Sequence, residues 1–187
     1  MDLLPLLPRV LFVIGVGFFV ANLRLFFQFI RFLRLRSSAL LTWPGRKPPL
    51  YGLLLALGAI LGVVVVIKIA FLKQHPVDVF GESMMLVYYG YAMPLSIRIG
   101  RGFYQDGIWG ESGFMPYSQI GGLTWREGEQ VTLVMMSRMR NFASRLVVPQ
   151  HHYSAARRLL REKIAAHDIH FTGKPLDLGL HDERDDV

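Results

Sequence analysis

Apolar positions in this chain fall first into long blocks and then into short alternating runs. The longest block, Leu50–Leu72, reads LYGLLLALGAILGVVVVIKIAFL and contains a single charge, Lys68. A hydrocarbon core about 30 Å thick takes ~20 apolar residues in a helix. A buried strand around the β-branched Val63–Val66 is the competing reading, but buried strands are usually ~4–8 residues long. The block therefore predicts a transmembrane helix over 50–72. Gly58 and Gly62, four apart, give it a small-residue face where another helix can approach.

The first block is punctuated. Val10–Leu23 is uncharged between Arg9 and Arg24, and the apolar run continues through LFFQFI to Arg31. It predicts a first span over about 8–33, with Pro5 and Pro8 near its start, where proline is tolerated. A signal peptide is the alternative; against it, Asp2 is acidic, no Lys or Arg precedes the apolar run, and no A-x-A site follows. Arg24, Gln28 and Arg31 share a helix face, so Arg24 and Arg31 are candidates for snorkelling to lipid phosphates, with solvated stop-transfer charge as the plainer role. Ser37–Pro49, with Thr42-Trp43-Pro44-Gly45 and Pro48-Pro49, reads as a loop. Trp43 and Tyr51 stand there like interfacial anchors.

A third block, Val79–Ile97, is aromatic and rich in methionine. It is read as a third span, with an interfacial helix or a first strand as alternatives. Inside a bilayer Glu82 would face protein or water and would be a functional acid; at the edge it would be simply solvated.

From Arg98 the period shortens. Gly102–Gln105, Asp106-Gly107 and Ile108-Trp109 predict strand, tight turn and strand. Glu111-Ser112-Gly113 reads as another turn, followed by Phe114-Met115-Pro116-Tyr117, and strands are predicted at Ile120–Arg126, Gln130–Ser137 and Ser144–Val148. Val131, Leu133 and Met135 alternate with Thr132, Val134 and Met136, so both faces of that strand are apolar enough to be covered. Over Gln150–Ala166 the stripe Tyr153, Ala156, Leu160 and Ile164 predicts an amphipathic helix packed on the sheet. Residues 171–187 end in HDERDDV and read as a flexible tail.

Charge sharpens this division. The chain has 187 residues and a net charge of +7. Met1–Ile97 holds nine Lys/Arg against three Asp/Glu, and Arg98–Val187 twelve against eleven. The excess belongs to the membrane half. Arg31, Arg34, Arg36, Arg46 and Lys47 place the first loop in the cytoplasm by the positive-inside rule, and three spans would put the C-terminal domain there too. The chain has no cysteine, which removes disulfides and thiolate chemistry.

Candidate chemistry is sparse. The pairs His151-His152 and His167-x-x-His170 lie about a helix length apart and lack converging carboxylates, so exposed histidines are expected rather than a metal site. No nucleotide, hydrolase or metalloprotease motif is present. Glycines at 100, 102, 121 and 122 read as turn or bulge positions. Arg138, Arg140 and Arg145 border a hairpin and could bind phosphate or anionic headgroups, a solvated turn being the plainer role. Trp109, Trp125 and Tyr117 could stack on bases, but a near-neutral tethered domain argues against nucleic acid.

The run from Gly102 to Ile164 resembles the bacterial pleckstrin-homology-like domains attached to short membrane anchors. The resemblance rests on Asp106-Gly107-Ile108, Tyr117-Ser118-Gln119-Ile120, Val148-Pro149 and the helix Tyr153–Ile164. It implies a partly closed barrel or sheet capped by a helix and a binding or assembly role at a membrane; the segment is short for seven strands, so a truncated sheet is expected. The expected fold is thus a membrane α-helical anchor of two or three transmembrane helices (1–97), then an α+β unit (98–170) with a small antiparallel pleckstrin-homology-like sheet or partial barrel capped by a C-terminal helix, then the tail. The expected protein is a non-enzymatic multi-pass subunit of the bacterial inner membrane, without cofactor or metal. It would act as an accessory or scaffold, with the bilayer and other integral membrane proteins as partners. An anionic-lipid sensor and a transport-related protein using Glu82 are the alternatives.

Overall fold

The computed structural model describes residues 7–169 apart from 127, 129, 140 and 141. The expected tail at 171–187, together with His170 and Arg140, lies outside the described residues. The chain divides into two compact units, one of residues 1–33 and 45–99, the other of 34–44 and 100–187.

The first unit is helical. Helix α1 is Leu7–Leu35, and α2 is Tyr51–Val66, prolonged by a wide π turn at Ile67–Phe71. Helix α3 (Phe80–Val87) passes through a second π turn (Tyr88–Ala92) into α4 (Met93–Ile97). Two helices, Arg9–Ser38 and Tyr51–Phe71, are long and apolar enough to cross a membrane. Their apolar side chains are largely exposed, Val13 at 70% and Leu53 at 64%, as suits a surface solvated by hydrocarbon. The rod formed by α3 and α4 is about 27 Å long at 1.5 Å per residue. Glu82 and three tyrosines interrupt its apolar sequence.

Glycine sets how closely these helices approach. A Cβ on Gly81 would sit 2.3 Å from the Leu11 carbonyl oxygen, and one on Gly15 would sit 2.7 Å from the Gly81 Cα. Phe12 meets Phe80 with ring centroids 5.4 Å apart, and Phe18 meets Tyr88 at 5.1 Å. On α2, a Cβ on Gly58 would lie 3.1 Å from the Gly90 nitrogen, and one on Gly62 would lie 3.5 Å from Leu86. The small-residue face of α2 therefore receives a helix of the same chain. Pairings of 68 with 82, 62 with 86 and 58 with 90 run antiparallel, whereas α1 and α3 ascend together.

The second unit is α+β. Strands β1 (Ala39–Trp43), β2 (Arg101–Tyr104), β3 (Gly107–Gly110) and β4 (Gly113–Pro116) form one antiparallel sheet in that order. Strands β5 (Ile120–Arg126), β6 (Val131–Ser137) and β7 (Ala143–Val148) form another, and α5 is Tyr153–Ala165. The loop expected over Ser37–Pro49 is thus corrected at its centre: Ala39–Trp43 is a strand, and 34–44 joins the later unit instead of the helical one. The reason is long-range. Thr42 pairs with Gly102 and Trp43 with Arg101, a register that no local pattern announces. With β1 added, the described residues hold seven strands, divided between one sheet of four and one of three.

Gly102 has φ +132°, and a Cβ there would lie 2.2 Å from the Leu41 carbonyl oxygen, beside the β1 bulge between Ala39 and Leu41. A side chain could not share that space. The core joins both sheets and α5: Trp43, Phe103, Ile108, Ile120, Trp125, Leu133, Leu146, Ala156 and Leu160 belong to one cluster. On β6, Leu133 and Met135 are fully buried; on the other face Val134 is 9% exposed between its register partners Thr124 and Arg145, and Thr132 and Met136 are half-buried. The sheets meet at a corner where the Glu111 N–H donates to the Arg145 carbonyl at 2.8 Å and Ser112 Oγ lies 2.9 Å from Ser144 Oγ.

Candidate functional site

The helical unit contains an ion pair between a partly exposed lysine and a buried glutamate. Lys68 stands in the π turn that ends α2, and Glu82 in the first turn of α3. Lys68 Nζ donates to Glu82 Oε1 at 2.5 Å. The Glu82 residue is 5% exposed, so the solvated edge position weighed for it is corrected: α3 turns it towards α2. A carboxylate removed from water needs a close opposite charge, because desolvation otherwise drives it neutral. Its second oxygen, Oε2, is buried without a hydrogen-bond partner among the described residues. Lys68, the lone charge of the longest apolar block, is the partner that sequence reasoning left unassigned; a basic residue in a span with one acid in the neighbouring block was the available signal.

A second polar feature sits on α1. Asn22 Nδ2 donates to the Met84 carbonyl of α3 at 3.0 Å, and its Oδ1 is buried without a partner among the described residues. Asn22 lines a groove of about 280 Å³ between α1 and the α3–α4 rod, together with Phe19, Phe26, Met84, Tyr91 and Leu95. The surface of its wall is almost wholly apolar. Met84 thus forms part of an apolar contact surface. Sequence reasoning passed over Asn22, although an amide inside an uncharged span is the kind of residue that joins membrane helices.

The arginine candidates are dispersed. Arg24 and Arg31 are exposed on α1, and seven residues along a helix separate them by about 10 Å. Arg138 is exposed in the β6–β7 connection and Arg145 is exposed on β7, opposite Val134. Arg140 lies outside the described residues.

The aromatic and histidine candidates are mostly structural. Trp109, Trp125 and Tyr117 are buried, so they offer no face to a base. His152 is not the exposed side chain expected: it is half-buried and stacks on Trp43 at 5.6 Å, and its ring lies 4.1 Å from that of the exposed His151. His167 is exposed. Among the described residues no group of three His, Cys, Asp or Glu side chains could hold a metal ion.

Two phenols titrate far from their usual range. Tyr104 OH donates to the Gly100 carbonyl at 2.6 Å, and Tyr117 OH donates to the Tyr104 carbonyl at 2.9 Å. Burial pushes Tyr104 up to about 12. Burial pushes Tyr117 higher still, with the negative charges of Asp168 and Asp106 adding to it. Both therefore act as neutral donors that tie β2 to its surroundings.

No protein-family model matches the chain, and searches of curated proteins and of solved structures find none similar to it.

Proposed function

We propose that this is a non-enzymatic, three-span membrane protein, an accessory or scaffolding subunit that holds a small pleckstrin-homology-like domain in the cytoplasm and docks to another integral membrane protein. The α1–α3 groove carries the docking part of this reading. Apolar helix surface is ordinary in lipid, but a concave wall marked by Asn22 and Tyr91 suits a neighbouring helix, since close packing and polar contacts drive helix association where the hydrophobic effect does not.

The β1–β2 pairing supports the topology. Residues 43 and 101 are neighbours in one sheet, so the chain between them crosses the bilayer an even number of times. If α2 crosses, the α3–α4 rod crosses as well, and its packing along α2 by Gly58 and Gly62 agrees. Five basic residues from Arg31 to Lys47 favour the cytoplasm for that side. Four strands, three strands and a closing helix accord with the pleckstrin-homology-like resemblance.

The test is photo-crosslinking in the native membrane. A benzophenone amino acid replacing Phe26, inside the groove, is expected to capture one membrane protein in good yield, and the same probe at Val13 is not. A full chain that extracts alone, with adducts only to lipid at both positions, would refute the docking role.

A second reading rests on the buried Glu82 oxygen without a partner: a transport-related protein in which that carboxylate handles a proton or cation. Glu82→Gln would abolish such transport in proteoliposomes, and full retention of flux would count against it.

A further inference from the structure

We propose that Arg101 receives a carboxylate from the docked membrane protein, an Asp or Glu side chain bound beside Trp43, His151 and His152. This rests on the docking role above and names the chemistry of the partner.

Strand β2 opens with Arg101, whose register partner on β1 is Trp43. Residues opposite each other in an antiparallel pair share a face. Phe103, two positions along β2, belongs to the core cluster with Trp43. Arg101 therefore stands on the core-facing side of the sheet, at its end, and is half-buried there. The ring of His152 stacks on Trp43 with the planes 21° apart, and His151 beside it is exposed. Three segments far apart in sequence thus converge around one indole.

The Arg101 guanidinium has neither a hydrogen-bond nor an ion-pair partner among the described residues. Burial pushes its pKa below the ordinary guanidinium value, while the charge of Glu111, exposed in the β3–β4 turn, pulls the other way. It stays protonated all the same. Lys163 in the same unit, also partly buried, is completed: its ammonium meets the Asp168 carboxylate at 3.0 Å and the Gln105 carbonyl at 3.1 Å. A cation drawn part-way out of water and left unpaired weakens a fold until an anion completes it. Nothing described in this chain does so for Arg101.

The site carries one permanent positive charge. Glu111 acts on it through space and would repel a phosphate dianion or an anionic bilayer more than a single carboxylate. A carboxylate matches the planar guanidinium fork with two parallel hydrogen bonds, and a histidine ring N–H supplies a further donor. Docking through helices raises the effective concentration of an acidic side chain on the same partner, so one ion pair suffices.

The full chain in native membranes tests this, with the benzophenone probe at Phe26 as the measure of docking. Arg101→Gln is expected to lower capture at 26 by about tenfold or more. It should leave unfolding of the solubilised chain unchanged or shifted to higher denaturant, because it removes an unpaired cation. Arg101→Lys puts an amine at the site, and a water-soluble carbodiimide should then join residue 101 to an Asp or Glu of the protein captured at 26. Full capture at 26 in both Arg101→Gln and Arg101→Glu would overturn the inference and leave the docking role standing. No capture at 26 in the chain with Arg101 intact would refute the docking role, and the inference with it. A carbodiimide link that runs only to Glu111 of the same chain, or an Arg101→Gln chain that unfolds more easily, would make Arg101 a structural residue and overturn its part in binding.

Discussion

The indole Nε1 of Trp43 donates to the carbonyl of Val147 at 3.1 Å, across 104 positions of sequence. Trp43 lies between two long helices in the chain, yet it belongs to the core of the α+β unit. That unit is therefore built from two separate pieces of chain, and its closing strand is delivered by the segment after α1.

A fragment that begins at Arg98 lacks β1, exposes the edge of β2 and leaves the Val147 carbonyl without its indole. It is expected to be insoluble or molten, with no cooperative melt by circular dichroism. Fusing residues 34–44 to it through a flexible linker should restore the melt. In the full chain Trp43→Ala should destabilise the unit by about 3–5 kcal/mol. Trp43→Phe, which keeps most of the packing and loses the hydrogen bond, should cost about 1 kcal/mol. Pulse proteolysis in detergent reads both values, and an unchanged Trp43→Ala protein would show that β1 is dispensable.

Gly102→Ala places a methyl group against the Leu41 carbonyl at a backbone angle that L residues avoid. A loss of at least ~2 kcal/mol is expected from strain and overlap together. Gly128→Ala, with open space around it, should change stability by no more than about 0.5 kcal/mol. The same proteolysis assay compares them, and equal effects would be inconsistent with the bulge.

The Lys68–Glu82 pair should respond asymmetrically to substitution. Lys68→Met leaves a buried carboxylate without its cation and is expected to cost about 2–4 kcal/mol, below the fully buried range because Lys68 is partly exposed. Adding Glu82→Gln should recover most of that loss. Denaturation of the detergent-solubilised protein is the measurement; additive effects of the two substitutions would mean that the pair does not act as a unit.

Tyr104 and Tyr117 should make the α+β unit sensitive to alkali. Their phenols are raised in the folded state, so the neutral form is the one that folding favours. The stabilisation is complete below about pH 10, the unfolded value. It is lost as pH rises through about 12, the folded value for Tyr104. Phenolate absorbance should show two of the seven tyrosines ionising late, together with unfolding. Tyr117→Phe should remove one of these late steps, and a single transition near the ordinary tyrosine value would contradict the burial argument.

Topology can be read with single cysteines at Lys47, His75 and Gly128, all exposed. A membrane-impermeant maleimide should label positions 47 and 128 from one side and position 75 from the other. Labelling of 75 and 128 from the same side would remove the third crossing.

The blocks at 50–72 and 8–33 were legible because hydrocarbon imposes a length that soluble elements rarely reach. Strands β2, β3 and β5 to β7 and the C-terminal helix were legible because alternation, turn residues and a helical stripe are local signals. The strand at Ala39–Trp43 was not, since its five residues are stabilised by partners about sixty positions away and look locally like a loop beside a membrane. The candidate site divides in the same way. Glu82 stood out as an acid in an apolar block, but its pairing with Lys68 depends on α2 and α3 packing antiparallel. Asn22 acquired a partner only when Gly15 and Gly81 let α1 approach α3. The sequence by itself determined which segments are long and apolar enough to cross a membrane and where most of the strands lie, because apolarity and period are written residue by residue. Which segments meet, which charges neutralise each other and which apolar side chains stay exposed was decided by tertiary structure, since those outcomes depend on contacts between positions far apart in the chain.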